Sequence, residues 1–211
     1  MTVVLAGATG LVGRAFVRIA GEGDYPVTAV GRRDVEGVAA TIRTDFSAPL
    51  ALPPADVALC ALGTTMATAG SRAAFYAVDH VAVLHFAQAA LAAGIRHFIV
   101  ISAVGADPRS PVFYSRVKGE TERDLAALGF ARLDILRPGL LLGRRRERRP
   151  GEALFQRLDP VLRRLLPGPL SRYAGIPAAT VAAAMLALCG QGGEGTTIHH
   201  NAELRRLASA V

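Results

Sequence analysis

Hydrophobic positions in this chain come in short, nearly solid runs set between longer stretches of mixed character. Val3 to Ala6, Val27 to Val30, Val57 to Leu62, His97 to Ile101 and Leu133 to Leu136 are such runs, with Ala40 to Thr44 a weaker one. Short apolar runs without alternation suit strands buried on both faces of a parallel sheet. The segments between them carry helical spacing and glycine stops. A helix is predicted from the glycine turn Gly7–Gly13 through Ala20, another over Ser71 to Ala93 ended by Gly94, and a third over Tyr114 to Leu128 ended by Gly129. Strands alternating with helices predict an α/β protein with a doubly wound parallel sheet and right-handed crossovers. After Pro138-Gly139 the regularity fades. Helices are expected over Glu152 to Leu166, Ala178 to Leu188 and onward from Ala202, with a strand at Thr197 to His199. Neither repeat nor linker interrupts residues 1–211, which read as a single domain whose part 139–211 forms a small substrate or lid lobe.

The first run leads directly into Gly7-Ala8-Thr9-Gly10-Leu11-Val12-Gly13. Glycines at this spacing, between a strand and a helix, let the backbone approach a pyrophosphate, and the helix N-terminus offers free N–H groups. A Rossmann dinucleotide site follows, with Gly7, Thr9, Gly10, Leu11 and Val12 against the phosphates. After the second run an NAD-binding fold usually carries an acid for the ribose 2′-hydroxyl. This chain has Gly31-Arg32-Arg33 there. Two guanidiniums suit a 2′-phosphate, so NADP(H) is expected in preference to NAD. Asp34 is expected to be solvated. Asp45, beside Phe46, is placed at the adenine edge, and Leu62-Gly63-Thr64-Thr65 closes the fourth run with small residues that let backbone lie along the cofactor.

Of the 24 cationic side chains, 23 are arginine; the one lysine is Lys118, four residues after Tyr114. Positions i and i+4 share a helix face. An ammonium beside a phenol favours the phenolate and can donate to ribose hydroxyls. Ser102, at the end of the fifth run, lies 12 residues before Tyr114. Ser102, Tyr114 and Lys118 are thus the candidate catalytic set, with tyrosine as acid in carbonyl reduction and base in the reverse.

These residues, with Cys60 through Thr65, Gly105-Ala106-Asp107, Tyr114 through Glu120, Arg137 through Leu141 and Arg149 through Glu152, resemble the atypical short-chain dehydrogenases of NmrA/epimerase type. Within these the chain is most similar to the Tat-interactive-protein oxidoreductase group. The resemblance implies NADPH held by the residues above, with further contacts from Pro138, Leu141 and Arg149. It implies hydride transfer to or from a small carbonyl or alcohol substrate. Two alternatives stand beside it: an NADPH-binding regulator or sensor without turnover, and a sugar-nucleotide epimerase or dehydratase. Only 73 residues follow Pro138, little for a large sugar-nucleotide pocket.

Charge and cysteine usage add less. The run Arg144 to Arg149 carries +4 of the net +7. It lacks interleaved aromatics and zinc-finger spacing, so nucleic-acid binding is not expected. Its position after the sixth run predicts a flap over the cofactor mouth. Cys60 and Cys189 are expected as buried small apolar residues, and metal binding is not expected. The apolar run Val181 to Cys189 is far short of a membrane span of about 20 residues. With no basic leader ahead of the first strand, the expectation is a cytoplasmic protein, with a homodimer left open.

Overall fold

The computed structural model describes residues 1–143 and 172–210. Six of the expected strands are present: β1 (Val3–Ala6), β2 (Val27–Gly31), β3 (Ala40–Arg43), β4 (Val57–Cys60), β5 (His97–Ile101) and β6 (Arg132–Arg137). Two short strands that hydrophobicity did not announce, β7 (Leu141–Leu142) and β8 (Ile176–Pro177), pair with each other. The last, β9 (Gly195–His200), runs beyond its expected bounds at both ends. Among the described residues the main sheet has seven strands in the order β3-β2-β1-β4-β5-β6-β9, every neighbouring pair parallel. The chain winds outward in one direction to β3 and in the other from β4. The switch between β1 and β4 leaves a crevice at the carboxyl ends of those strands, where such sheets bind ligands.

Helices cover both faces. On one face α1 (Leu11–Glu22), α6 (Ala178–Cys189) and α7 (Asn201–Ala208) pack Phe16, Val181, Met185 and Leu204 against Leu5, Leu59, Ile99 and Leu136. On the other, α4 (Ala82–Ala92) and α5 (Phe113–Ala127) bring Phe86, Ala90 and Leu125 onto Val4, Ala58, Phe98 and Val100. The central strands β1, β4, β5 and β6 therefore have apolar partners on both sides, which is why they are largely apolar without alternation, whereas the edge strands β3 and β9 are more exposed. The described part of 172–210 contributes two strands, β8 and β9, and two helices, and Ile176, Val181 and Leu204 among them join this same core. The expected helix Glu152 to Leu166 and the Arg144 to Arg149 run lie outside the described residues.

The region 71–93, expected as one helix, is three pieces in continuous succession. Ser71 caps α3 (Arg72–Tyr76) by accepting the Ala74 amide, a π-helical turn spans Ala77–Val81, and α4 follows. By length and composition alone the run Arg72–Ala92 could cross a membrane. In the fold it is a packed helix whose buried residues include Phe75, Asp79, Val83 and Phe86. The π turn brings Asp79 inward, a use to which such turns are often put at functional sites. A further helical turn not anticipated, α2 (Met66–Ala69), is capped by Thr65 accepting the Thr68 amide.

Cys60 and Cys189 are buried free thiols, and burial pushes both up to about 12. Away from the crevice, Asp134 on β6 is 1% exposed and meets His97, His199 and Arg132, each nitrogen at 2.7 Å. Burial opposes its charge, but the bonds from His199, His97 and Arg132 outweigh burial and hold the carboxyl well below the usual carboxylate range. A depressed carboxylate stabilises the fold fully above its unfolded pKa of about 3.9 and loses that contribution as pH falls further. Acid titration of unfolding should therefore show a steep loss below about pH 4 that Asp134→Asn flattens. Parallel profiles for the two proteins would remove Asp134 from the account.

Candidate functional site

The glycine turn is shaped by close approach rather than by taste for small residues. Gly7 has φ +85, and a Cβ there would sit 2.5 Å from the carbonyl of Ala61. A Cβ at Gly13 would sit 2.2 Å from the Gly7 oxygen. The Gly10 amide donates to that same oxygen at 3.0 Å, and Gly10 then serves as N-cap of α1. The α1 N-terminus carries no acid in its first turn. Its positive dipole end is thus free for a phosphate.

This turn lines an open cleft of about 1410 Å³ at the β1/β4 crevice. The cleft brings together Thr9, Gly10, Leu11, Val12, Arg33, Leu62, Gly63, Thr64, Ser102, Tyr114, Lys118, Pro138 and Leu141 from the expected set. Gly7 lies beneath the lining and acts by permitting the turn. Arg32 and Asp45 are not among the described lining residues. Asp45 instead accepts the Ser47 amide at 2.9 Å and hydroxyl at 2.6 Å. The Ser47 bonds hold its carboxyl below the usual range. Phe46 beside it is buried in the core against Phe86. Arg149 lies outside the described residues.

Tyr114 and Lys118 stand one turn apart at the start of α5. Tyr114 is 37% exposed, its ring 5.5 Å from that of Phe75. Lys118 is 6% exposed, and its ammonium lies 2.7 Å from Asp79 Oδ1. Asp79 Oδ2 accepts the Thr64 amide at 2.8 Å. The Lys118 ammonium thus meets a carboxylate oxygen that is itself shut away from solvent. Burial disfavours the Lys118 charge, but Asp79 and then Tyr114 outweigh it and raise its pKa. Lys118 is therefore a fixed cation beneath the tyrosine. Gly63 keeps this spot narrow but open, because a Cβ there would be 3.4 Å from Asp79 Oδ1 and 3.8 Å from Lys118 Nζ.

Ser102 follows directly on β5, beside this pair. It reaches the cleft, but its hydroxyl donates to Glu122 Oε1. Glu122 in turn is gripped by Arg137, whose Nε lies 3.0 Å from Oε1 and whose Nη2 pairs with Oε2. A hydroxyl has one proton. Committed to Glu122, Ser102 faces the cleft as an acceptor.

Sequence reading missed Asp79 and Glu122. A signal existed for each. Asp79 is an acid inside an otherwise apolar helical pattern, and Glu122 lies four residues after Lys118 on the same helix face. The glycine between them has its own reason: a Cβ on Gly119 would meet the Asp107 carbonyl carbon at 2.2 Å, so α5 touches the 105–108 loop there.

A parallel sheet wound about a glycine turn, with a tyrosine–lysine pair facing that turn across the switch point, defines a dinucleotide-binding Rossmann protein. The chain belongs to the NAD dependent epimerase/dehydratase family, whose pattern it matches over residues 3–124. It is 36% identical over 198 residues to Protein HTATIP2 of Rattus norvegicus, spanning 88% of this chain and 79% of that one. It is 40% identical over 159 residues to Protein FMP52, mitochondrial, of Eremothecium gossypii, spanning 72% and 71%. Among solved structures the fold is similar to human epimerase family protein SDR39U1 (isoform2) with NADPH, with TM-score 0.69, 18% identity and coverage of 95% and 74%. It is also similar to MoeE5 in complex with UDP-glucose and NAD, with TM-score 0.72, 16% identity and coverage of 100% and 81%. The cytoplasmic expectation does not survive: the FMP52 relatives from Eremothecium gossypii, Emericella nidulans and Aspergillus fumigatus are named as mitochondrial proteins.

Proposed function

We propose that the protein is an NADP(H)-dependent oxidoreductase acting on a small carbonyl or alcohol. The observation that carries this reading is the placement of Tyr114 and Lys118 in the same cleft as the glycine turn. The residues present fit a dinucleotide. Bare backbone at Gly10 and Gly63, an acid-free helix N-terminus, and the Lys118 ammonium at the cleft supply phosphate and ribose contacts. When bound, the cofactor would supply or accept the hydride.

The remaining chemistry belongs to the chain. Lys118 keeps its charge because Asp79 compensates its burial, and it stabilises the phenolate left when Tyr114 gives its proton to the substrate oxygen. In alcohol oxidation the same phenolate takes the proton back. Ser102, as an acceptor, holds an O–H in the cleft rather than a carbonyl oxygen. That arrangement also gives weight to a second reading, an NADPH-binding regulator without turnover, since the set poised to donate to a carbonyl is reduced to Tyr114.

Mass spectrometry of protein as purified, looking for retained dinucleotide, followed by a panel of small aldehydes and ketones with NADPH, separates these. Turnover supports the oxidoreductase. Tight binding with an inert panel supports the regulator, and absence of dinucleotide affinity sinks both.

A further inference from the structure

Ser102 is held from two sides. Its amide donates to the Leu136 carbonyl at 2.7 Å, and the Val104 amide donates to the Pro138 carbonyl at 3.1 Å, so the chain after β5 is stitched to the end of β6. Its hydroxyl donates to Glu122 Oε1. Glu122 is 6% exposed, and the Arg137 fork takes both of its oxygens: Nε lies 3.0 Å from Oε1 and 3.2 Å from Oε2, and Nη2 donates to Oε2. A carboxylate in a guanidinium fork only accepts, so the proton between Glu122 and Ser102 is the serine's own. Ser102 therefore shows the cleft its lone pairs. The wall around it supplies no rival donor, because Ala103, Val104, Pro138 and Leu140 line the cleft with side chains that neither donate nor accept. The charges at this end, Lys118 and Asp79, are paired with each other. A carbonyl oxygen laid against Ser102 would set lone pairs against lone pairs; an O–H would be matched.

We propose that Glu122 is a positioning residue that fixes Ser102 as an acceptor, and that the site in consequence takes α-hydroxy carbonyl compounds, with the carbonyl oxygen at Tyr114 and the neighbouring hydroxyl donating to Ser102 Oγ. This deepens the oxidoreductase reading above and rests on it. Reduction adds a hydride from NADPH to the carbonyl carbon and the Tyr114 proton to its oxygen, and the product is a vicinal diol. Glu122 touches neither substrate nor cofactor and acts through the serine alone. The inference turns on one proton, and glutamine at 122 would reverse it. An amide has one acceptor oxygen and two N–H donors. Arg137 only donates, so it claims the oxygen and leaves the amide nitrogen against Ser102. Ser102 then accepts from that nitrogen and turns its own proton to the cleft, where it suits a plain carbonyl oxygen.

Matched pairs of carbonyls test this with NADPH: hydroxyacetone against acetone, and 2-hydroxyacetophenone against acetophenone. An α-hydroxyl activates a carbonyl by itself, so the diagnostic is how the kcat/KM ratio within each pair changes between proteins. Glu122→Gln and Ser102→Ala should each lower that ratio by about tenfold, the scale of one hydrogen bond. Glu122→Gln should also reduce the cost of Tyr114→Phe, because a freed serine proton covers part of the loss. Saturation-transfer NMR with 1-phenylethane-1,2-diol and 1-phenylethanol reads the same preference without turnover: wild type should favour the diol, and both variants should lose that preference. Ser102→Ala keeps the Glu122–Arg137 pair and decides alone if Glu122→Gln does not fold. The proposal is overturned if the ratio is the same in all three proteins, as it would be if Glu122 only supported the fold. Reduction of none of the four carbonyls, with the diol preference intact, would keep the acceptor role of Ser102 and remove the oxidoreductase reading; no reduction and no preference would end both.

Discussion

Tyr114→Phe should lower kcat for any carbonyl the protein reduces by about a hundredfold or more, the scale of a positioned proton transfer. NADPH affinity should stay within about twofold, because the ring, its contact with Phe75 and the charge of Lys118 all remain. Ser102 does not take over, because its hydroxyl donates to Glu122, and Glu122 is held by Arg137. In a site where serine donated freely, loss of the phenol would be partly covered. Steady-state assays with NADPH and a responsive aldehyde read this directly. A Tyr114→Phe protein turning over like wild type would place the proton donor elsewhere.

Asp79→Ala should cost about 3–5 kcal/mol of stability, the range for removing one partner of a buried ion pair. Asp79 is 0% exposed and Lys118 6%, so water cannot take the carboxylate's place. Asp79→Asn should cost less, because an amide oxygen can still accept the Thr64 amide. The pH dependence gives the charge its own signature. In the wild type Lys118 has a raised pKa, so its contribution is full below the unfolded lysine value of about 10.4 and fades as pH rises past it. In Asp79→Ala the lysine is buried without compensation, its pKa falls, and alkaline pH should restore stability instead. Urea unfolding between pH 7 and 11 compares the two. Profiles of the same slope would mean that Asp79 matters for packing and not for the charge of Lys118.

What could be read from the sequence follows from the range of each constraint. The glycine turn and the pair Tyr114–Lys118 were legible because their geometry is local: a turn of seven residues and one turn of helix. Strands β1, β4, β5 and β6 were legible because burial on both faces leaves no alternation. Asp79 was not, because only the π turn Ala77–Val81 aims it at Lys118, and hydrophobic periodicity does not announce such a turn. The Ser102–Glu122–Arg137 chain joins β5, α5 and β6, so the committed proton of Ser102 exists only once three elements meet. Of the adjacent pair Arg32 and Arg33, only Arg33 lines the cleft, and which one does depends on the bend after β2, which hydrophobic patterning does not specify.

The last strand has a bearing on how the protein is made. β9 pairs with β6 across residues 132–137 and 195–200, and the Asn201 side chain that follows accepts the Gly139 amide at 2.9 Å while donating to the Ala174 carbonyl at 2.7 Å. Pro138 and Leu141, on either side of that latch, line the cleft. On a ribosome, therefore, the glycine turn and the tyrosine helix emerge long before the wall opposite them can be fastened. Pairing at such sequence separation is slow to form. The nascent chain carries a half-built nucleotide site until the segment 195–201 has emerged, and only then can the cleft wall be fastened.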